Sequence, residues 1–180
     1  FSMKMRNSRT NSIVCWNGDN MERVNRICEH PVWKWHMERL AEYEKDRIFC
    51  RHGMEHLLDV ARIAYIENLE KNRGISKEII YGAALLHDIG RYLQYTEGIS
   101  HEKAGEELAL EILKDSGFSE EEQEEILEAV SRHRDKDTKD SSQLAGLIYR
   151  ADKQSRICCF CSAEPECNWS EEKKNRQIRV

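Results

Sequence analysis

The chain is poor in the residues that make tight turns. With only 2 prolines and 9 glycines among 180 residues, a turn-rich all-β fold is disfavoured. No run of about 18 apolar residues occurs, so no transmembrane helix and no membrane partner are expected. The polar N-terminus has no apolar stretch behind it, so no signal peptide is read there. An excess of positive charge is also missing. The formal net charge is −5, which speaks against extensive nucleic-acid binding.

What the chain does have is charge and cysteine. Charged residues make up 34% and hydrophobic residues 39%, the balance of one compact domain with a heavily charged surface. Seven cysteines without a secretion signal point to a reducing compartment, the cytoplasm, and read as free thiols or metal ligands before disulfides.

The hydrophobic pattern is helical throughout, and the fold class is all-α. Residues 1–20 are polar and read as an N-terminal arm. Residues 21–157 read as the helical domain and 158–180 as a Cys-rich tail. A helix is expected over 20–46, interrupted at Pro31 near His30. A helix over 51–71 carries Leu57, Val60, Ala61, Ala64 and Leu69 near helical spacing, with Gly74 as a stop. The next, over 76–89, has Ser76 as N-cap and is apolar nearly all round, as a central buried helix is. Helices follow over 101–115, over 120–133 behind a Ser119/Glu122 capping box, and over 141–157. The charged stretch 134–140 reads as loop.

The sharpest feature is Leu85-Leu86-His87-Asp88-Ile89-Gly90. It ends the most apolar helix with two ionisable side chains, which need a partner when buried. A divalent cation is such a partner, because it takes imidazole nitrogen and carboxylate oxygen together. His52 and His56 are four residues apart, on one face of the 51–71 helix. Asp152 follows the apolar stretch Leu147-Ile148-Tyr149.

The order His56, then His87-Asp88, then Asp152 on successive helices resembles the HD-domain superfamily of metal-dependent phosphohydrolases. Ala83 to Arg91 resembles that family's most specific motif, His56 before Val60-Ala61 its first ligand, and Ala151-Asp152 its last. The resemblance covers roughly residues 50–155 and implies a compact bundle of about six to eight helices.

It further implies that His56, His87, Asp88 and Asp152 hold a divalent transition metal: Mn, Fe, Co, Ni or Zn. His101 and His133 stand where two-metal members carry further histidines; in a one-metal site they would touch phosphate or move a proton. His52 is a further candidate contact, and His30 and His36 read as structural. The implied reaction is hydrolysis of a small phosphorylated metabolite or nucleotide by metal-activated water. Asp88 would orient that water, and Arg91 would contact phosphate. Arg150, Lys153 and Arg156 flank Asp152 and are candidates for the same contact. Two alternatives stand beside this reading: a di-iron HD-like oxygenase, and a non-catalytic metal or nucleotide sensor with a redox-active Cys tail.

In the tail, Cys158-x2-Cys161-x5-Cys167 has a ligand-like spacing. The last three cysteines of some iron–sulfur DNA glycosylases share it, although Ala151 stands where their upstream cysteine would be. With Cys159, or with Cys50, Cys28 or Cys15 as a fourth ligand, zinc or an iron–sulfur cluster is conceivable.

Overall fold

The computed structural model describes residues 21–178, and the expected arm over 1–20, with Cys15, lies outside them. Eight α-helices follow one another: α1 (Glu22–Glu29), α2 (Pro31–Tyr43), α3 (Met54–Glu70), α4 (Lys77–Leu86), α5 (Arg91–Glu97), α6 (His101–Ser116), α7 (Glu120–Arg132) and α8 (Leu144–Gln154). No strand occurs among the described residues. None of the described helices is long and apolar enough to cross a membrane.

The centre of the bundle is α4. It packs against α1, α3, α6, α7 and α8, and every residue from Ile79 to Leu86 except Tyr81 is buried. This is the outcome expected of a helix apolar nearly all round. Burying one Leu or Ile side chain contributes about 2 kcal/mol, so α4 is the main anchor of the core. Its last turn is satisfied from outside: Trp33 Nε1 on α2 donates to the Leu85 carbonyl at 3.0 Å, an oxygen left over at a helix end. The same bond explains why Trp33 is buried while Trp35 is 46% exposed.

Several expected boundaries shift. Pro31 does divide α1 from α2, and His30 Nδ1 accepts from Val32 N in the gap. The capping box at Ser119 and Glu122 is formed. Ser76, however, makes no side-chain capping bond. The helix expected over 51–71 starts only at Met54, after Gly53. His52 therefore precedes α3 rather than sharing a helical face with His56. Leu69, counted with the apolar stripe, is 56% exposed. The helix expected over 76–89 stops at Leu86, and residues 87–90 form turns. The helix expected over 141–157 is confined to 144–154. A short 3-10 turn over Lys136–Thr138 lies within the expected 134–140 loop. One helix, α5, had no counterpart in the hydrophobic pattern, because none of its residues is buried.

Gly90 is fixed by a close approach. A Cβ there would overlap the His101 carbonyl oxygen and stand 2.5 Å from the Gly105 nitrogen. The absence of a side chain lets the turn after α4 lie directly on the start of α6. That contact sets His87 and Asp88 against His101.

Candidate metal centre

Five helices deliver side chains to one buried point. His56 comes from the first turn of α3. His87 and Asp88 follow the end of α4. His101 opens α6, and His133 closes α7. Asp152 sits near the end of α8. His87 and His101 are fully buried, Asp88 and His133 are nearly so, and His56 and Asp152 are 7% and 8% exposed.

The ligand atoms fall into two triads, each gathered within 4.8 Å: His56, His87 and Asp152, then Asp88, His101 and His133. Asp88 joins them. Its Oδ2 lies 3.5 Å from His56 Nε2 and 3.2 Å from His87 Nε2. Its Oδ1 lies 3.4 Å from His101 Nε2 and 3.7 Å from His133 Nε2. Asp152 Oδ1 lies 3.4 Å from His56 Nε2 and 4.0 Å from His87 Nε2.

The outward ring nitrogens decide what the inward ones can do. His87 Nδ1 donates to the Ala84 carbonyl and His133 Nδ1 to the Val130 carbonyl, each at 2.7 Å. His101 Nδ1 donates to Gln94 Oε1 at 2.7 Å. His56 Nδ1 lies 3.1 Å from Ser155 Oγ, whose own proton goes to the Asp152 carbonyl. Each Nε2 therefore points inward with a lone pair when the ring is neutral. His101 Nε2 and His133 Nε2 face each other at 3.0 Å, and His56 Nε2 and His87 Nε2 at 3.3 Å. Facing lone pairs repel unless a cation lies among them. The donor set, neutral imidazole with carboxylate, is what divalent transition metals take. The residues present thus fit one or two such ions, with Asp88 between them.

The electrostatics agree. Burial, followed by the charge of Arg91, pushes His101 down to about 2. Burial, followed by the charge of His87, pushes His133 down to about 4. Both rings are neutral at pH 7 and open to a cation. Burial also opposes the charge on Asp88, but His87, His56 and Arg91 outweigh it and hold the carboxyl well below its ordinary range. Asp152 is likewise held down against burial by His56 and Lys153. His87 is raised: Asp88 and Asp152 overcome its burial.

Cations ring the carboxylates. Arg91 Nη2 donates to Asp88 Oδ1 at 3.0 Å, while its buried Nε has no partner. Lys153 Nζ lies 2.5 Å from Asp152 Oδ2. Arg156 Nη2 lies 3.4 Å from Asp152 Oδ1 and 3.1 Å from His56 Nε2. Arg150 is the exception among the candidates. It is spent on Glu67 and on the carbonyls of Lys139 and Ser141, because its position on α8 faces α3 rather than the cluster.

His52 stands at the edge of the site, its ring 5.9 Å from that of His56. Glu44 holds it: His52 N and Nδ1 donate to the carboxylate at 2.8 and 2.6 Å, and Tyr95 Oη adds a third bond at 2.8 Å. Burial opposes the Glu44 charge, but these donors bring it down to about 2.

Gln94, Ser155, Glu44 and Tyr95 escaped sequence reasoning. Ser155 was findable, because it lies one turn beyond Asp152. Gln94 and Tyr95 were hidden in α5, the helix without an apolar stripe. The cysteines of the tail are free thiols, with Cys158 buried and Cys159 exposed.

Known proteins resemble this chain in family and fold. The family model described as HD domain matches residues 53–157. An uncharacterized protein of Clostridium beijerinckii is 48% identical over 158 residues, covering 88% of this chain and 99% of that protein. The crystal structure of a predicted HD superfamily hydrolase from an uncultured Thermotogales bacterium aligns with a TM-score of 0.59 at 23% identity. That alignment covers 81% of this chain and 80% of the other. At that identity the likeness shows the fold.

Proposed function

Since the chain belongs to the HD domain family, we propose that it is a metal-dependent phosphohydrolase acting on a small phosphorylated metabolite or nucleotide. The observation that carries this reading is the pair of buried triads joined by Asp88, whose two oxygens face one triad each, rimmed by Arg91, Lys153 and Arg156. His56, His87, Asp88 and Asp152 would hold one divalent ion, and His101 and His133 with Asp88 a second.

When bound, the metal supplies Lewis acidity, which makes water nucleophilic at neutral pH and draws charge from the phosphoryl group. The chain's own residues do the rest. Asp88 and Asp152 stay ionised and accept hydrogen bonds, which orients water against phosphorus. Arg91 offers its unpartnered Nε to a phosphoryl oxygen, and Lys153 and Arg156 add charge on the opposite wall. Positioning and charge neutralisation of this kind dominate phosphoryl transfer. His52, whose Nδ1 proton is held by Glu44 and whose ring burial keeps neutral, offers Nε2 at the edge of the site as a proton acceptor. Catalysis belongs to the helical domain, over residues 21–157, and the Cys-rich tail is an addition to it.

The test is hydrolysis of a panel of phosphomonoesters, nucleotides and phosphodiesters by metal-loaded protein beside Asp88→Ala. Turnover that disappears in the variant supports the reading. Absence of turnover in protein with metal confirmed bound overturns it. The six-residue ligand set is also the one a di-iron oxygenase needs, and oxygen consumption by the iron-loaded chain would identify that case.

A further inference from the structure

The cysteines outside the helical bundle are grouped. Cys50 sits in the loop between α2 and α3, while Cys158, Cys161 and Cys167 follow α8. Most of the bundle separates the two stretches in sequence, yet they meet in space. Arg156 Nη1, two residues before Cys158, donates to the Arg51 carbonyl at 3.1 Å, one residue after Cys50. Arg47 Nε fixes the Cys50 carbonyl at 3.0 Å. The Cys50 thiol is pushed up first by burial. Arg156 opposes this, and Cys158 and Cys161 add to it, so those sulfurs lie within electrostatic reach.

The backbone of the tail steps from thiol to thiol. Cys161 N donates to the Cys158 carbonyl at 3.3 Å, Glu164 N to the Cys161 carbonyl at 3.2 Å, and Cys167 N to the Glu164 carbonyl at 3.1 Å. Three successive tight turns therefore run from Cys158 to Cys167, the first closing cysteine on cysteine and the next two meeting at Glu164. A turn closed across Cys-x2-Cys is the usual chelating loop of thiolate metal sites.

Asn175 Nδ2 ties the far end of the tail to the Gln154 carbonyl at 2.7 Å, but apolar burial does little to order this segment. Over residues 157–178 only Cys158 and Ala163 are buried, and Phe160 is 92% exposed. The ion pairs of Arg176 with Glu164 and Glu171 lie at the surface, where such pairs contribute little, and the half-covered pair of Lys174 with Glu164 joins two parts of the tail to each other. Fixing a tail of this length costs chain entropy that two small buried side chains do not offset.

We propose that Cys50, Cys158, Cys161 and Cys167 form a thiolate metal site, for a zinc-class ion or an iron–sulfur centre, that staples the tail to the loop before α3. Among the described residues, no three thiols are as tightly gathered as the histidine–carboxylate triads. Protonated thiols have no charge to share, and they close on a metal as they lose their protons. The tail can follow, since its 3-10 turns bury almost nothing. Cys159, exposed and outside the spacing, is excluded from the set. Arg156 would then be held at both ends, between the thiolate site and His56. This proposal stands independently of the phosphohydrolase reading.

Cobalt(II) titration of the reduced full-length chain tests it. A thiolate-to-cobalt charge-transfer absorption arises from sulfur ligands alone, so the histidine–carboxylate centre does not contribute to it. The band is expected to saturate at about one equivalent per chain and to be displaced by zinc. It should vanish in Cys161→Ser and persist in Cys159→Ser and in Asp88→Ala. Acid-labile sulfide and iron in the purified chain, lost in Cys161→Ser, identify the iron–sulfur form of the same site. Alkylation mapped by mass spectrometry needs no variant. Zinc should protect Cys50, Cys158, Cys161 and Cys167, and leave Cys159 reactive. No sulfur-to-cobalt band in the wild-type chain, a band surviving in Cys161→Ser, or equal alkylation with and without zinc would each overturn the proposal.

Discussion

The histidine–carboxylate centre hangs its side chains on the ends of long helices, whereas the cysteine-rich tail hangs its thiols on single 3-10 turns. In the centre, three of the four imidazoles have a 2.7 Å bond behind them, and the chain has met the cost of ordering them by packing α3, α4, α6, α7 and α8 together. In the tail, Cys158 is buried but Cys161 and Cys167 are partly exposed, and turn hydrogen bonds hold the backbone between them. The comparison teaches that similar ligand chemistry can be built in two ways. On the proposed readings, one site is preformed by the core to receive a metal, and the other would use its metal to make structure.

The largest effect that can break this contrast is at Asp88. Asp88→Ala removes the carboxylate shared by both triads, so metal binding to the centre and turnover should fall to background. Circular dichroism should show the helix content nearly unchanged. A variant that keeps its metal and its rate contradicts the shared-ligand role.

Gly90→Ala tests whether the core truly presets the centre. The added Cβ must push the α4–α6 contact apart, at a cost of about 3 kcal/mol. Chemical denaturation should show this loss even without metal.

Glu44→Gln comes next, and its sign is fixed by pH. The Glu44 carboxyl is brought from 4.5 to about 2 by His52 and Tyr95 against its burial. A depressed acid stabilises the fold above its unfolded value, and that stabilisation is lost as pH falls through the folded value. The wild-type advantage over Glu44→Gln, on the order of 2 kcal/mol at pH 7, should shrink below pH 4.5 and be gone near pH 2. Unfolding midpoints of both chains across that range check it; an advantage independent of pH would refute the charge assignment.

The smallest effect expected is Gln94→Ala. It frees the back of His101, and metal affinity should drop roughly tenfold, read by competition with a chelator, with no change at the thiols.

How much of this was legible in the sequence follows the same contrast. The candidate ligands were readable because their order resembles that of the HD-domain family, on helices that apolar periodicity, the strongest signal a sequence carries, brings out. His56, His87, Asp88, His101, His133 and Asp152 converge as their order implied. Periodicity says nothing where no residue is buried, so α5 was invisible, and with it Gln94 and Tyr95. The ends of α3 and α4 were misjudged for a related reason. His52 and the 87–90 turn continue an apolar or helical pattern, while the extended backbone of Gly53 opens α3 only at Met54 and Gly90 lies against the start of α6, a contact distant in sequence. Arg150 illustrates the remaining limit. Its closeness to Asp152 in sequence gave no hint that Glu67, on another helix, would claim it.

The central claim is that the two buried triads hold metal on either side of Asp88. Anomalous diffraction from crystals of the metal-loaded chain, collected at the metal's absorption edge, tests it most directly. The account predicts density among His56, His87, Asp88 and Asp152, with a second site among Asp88, His101 and His133 at full loading. A loaded crystal with no anomalous density at either triad would contradict it.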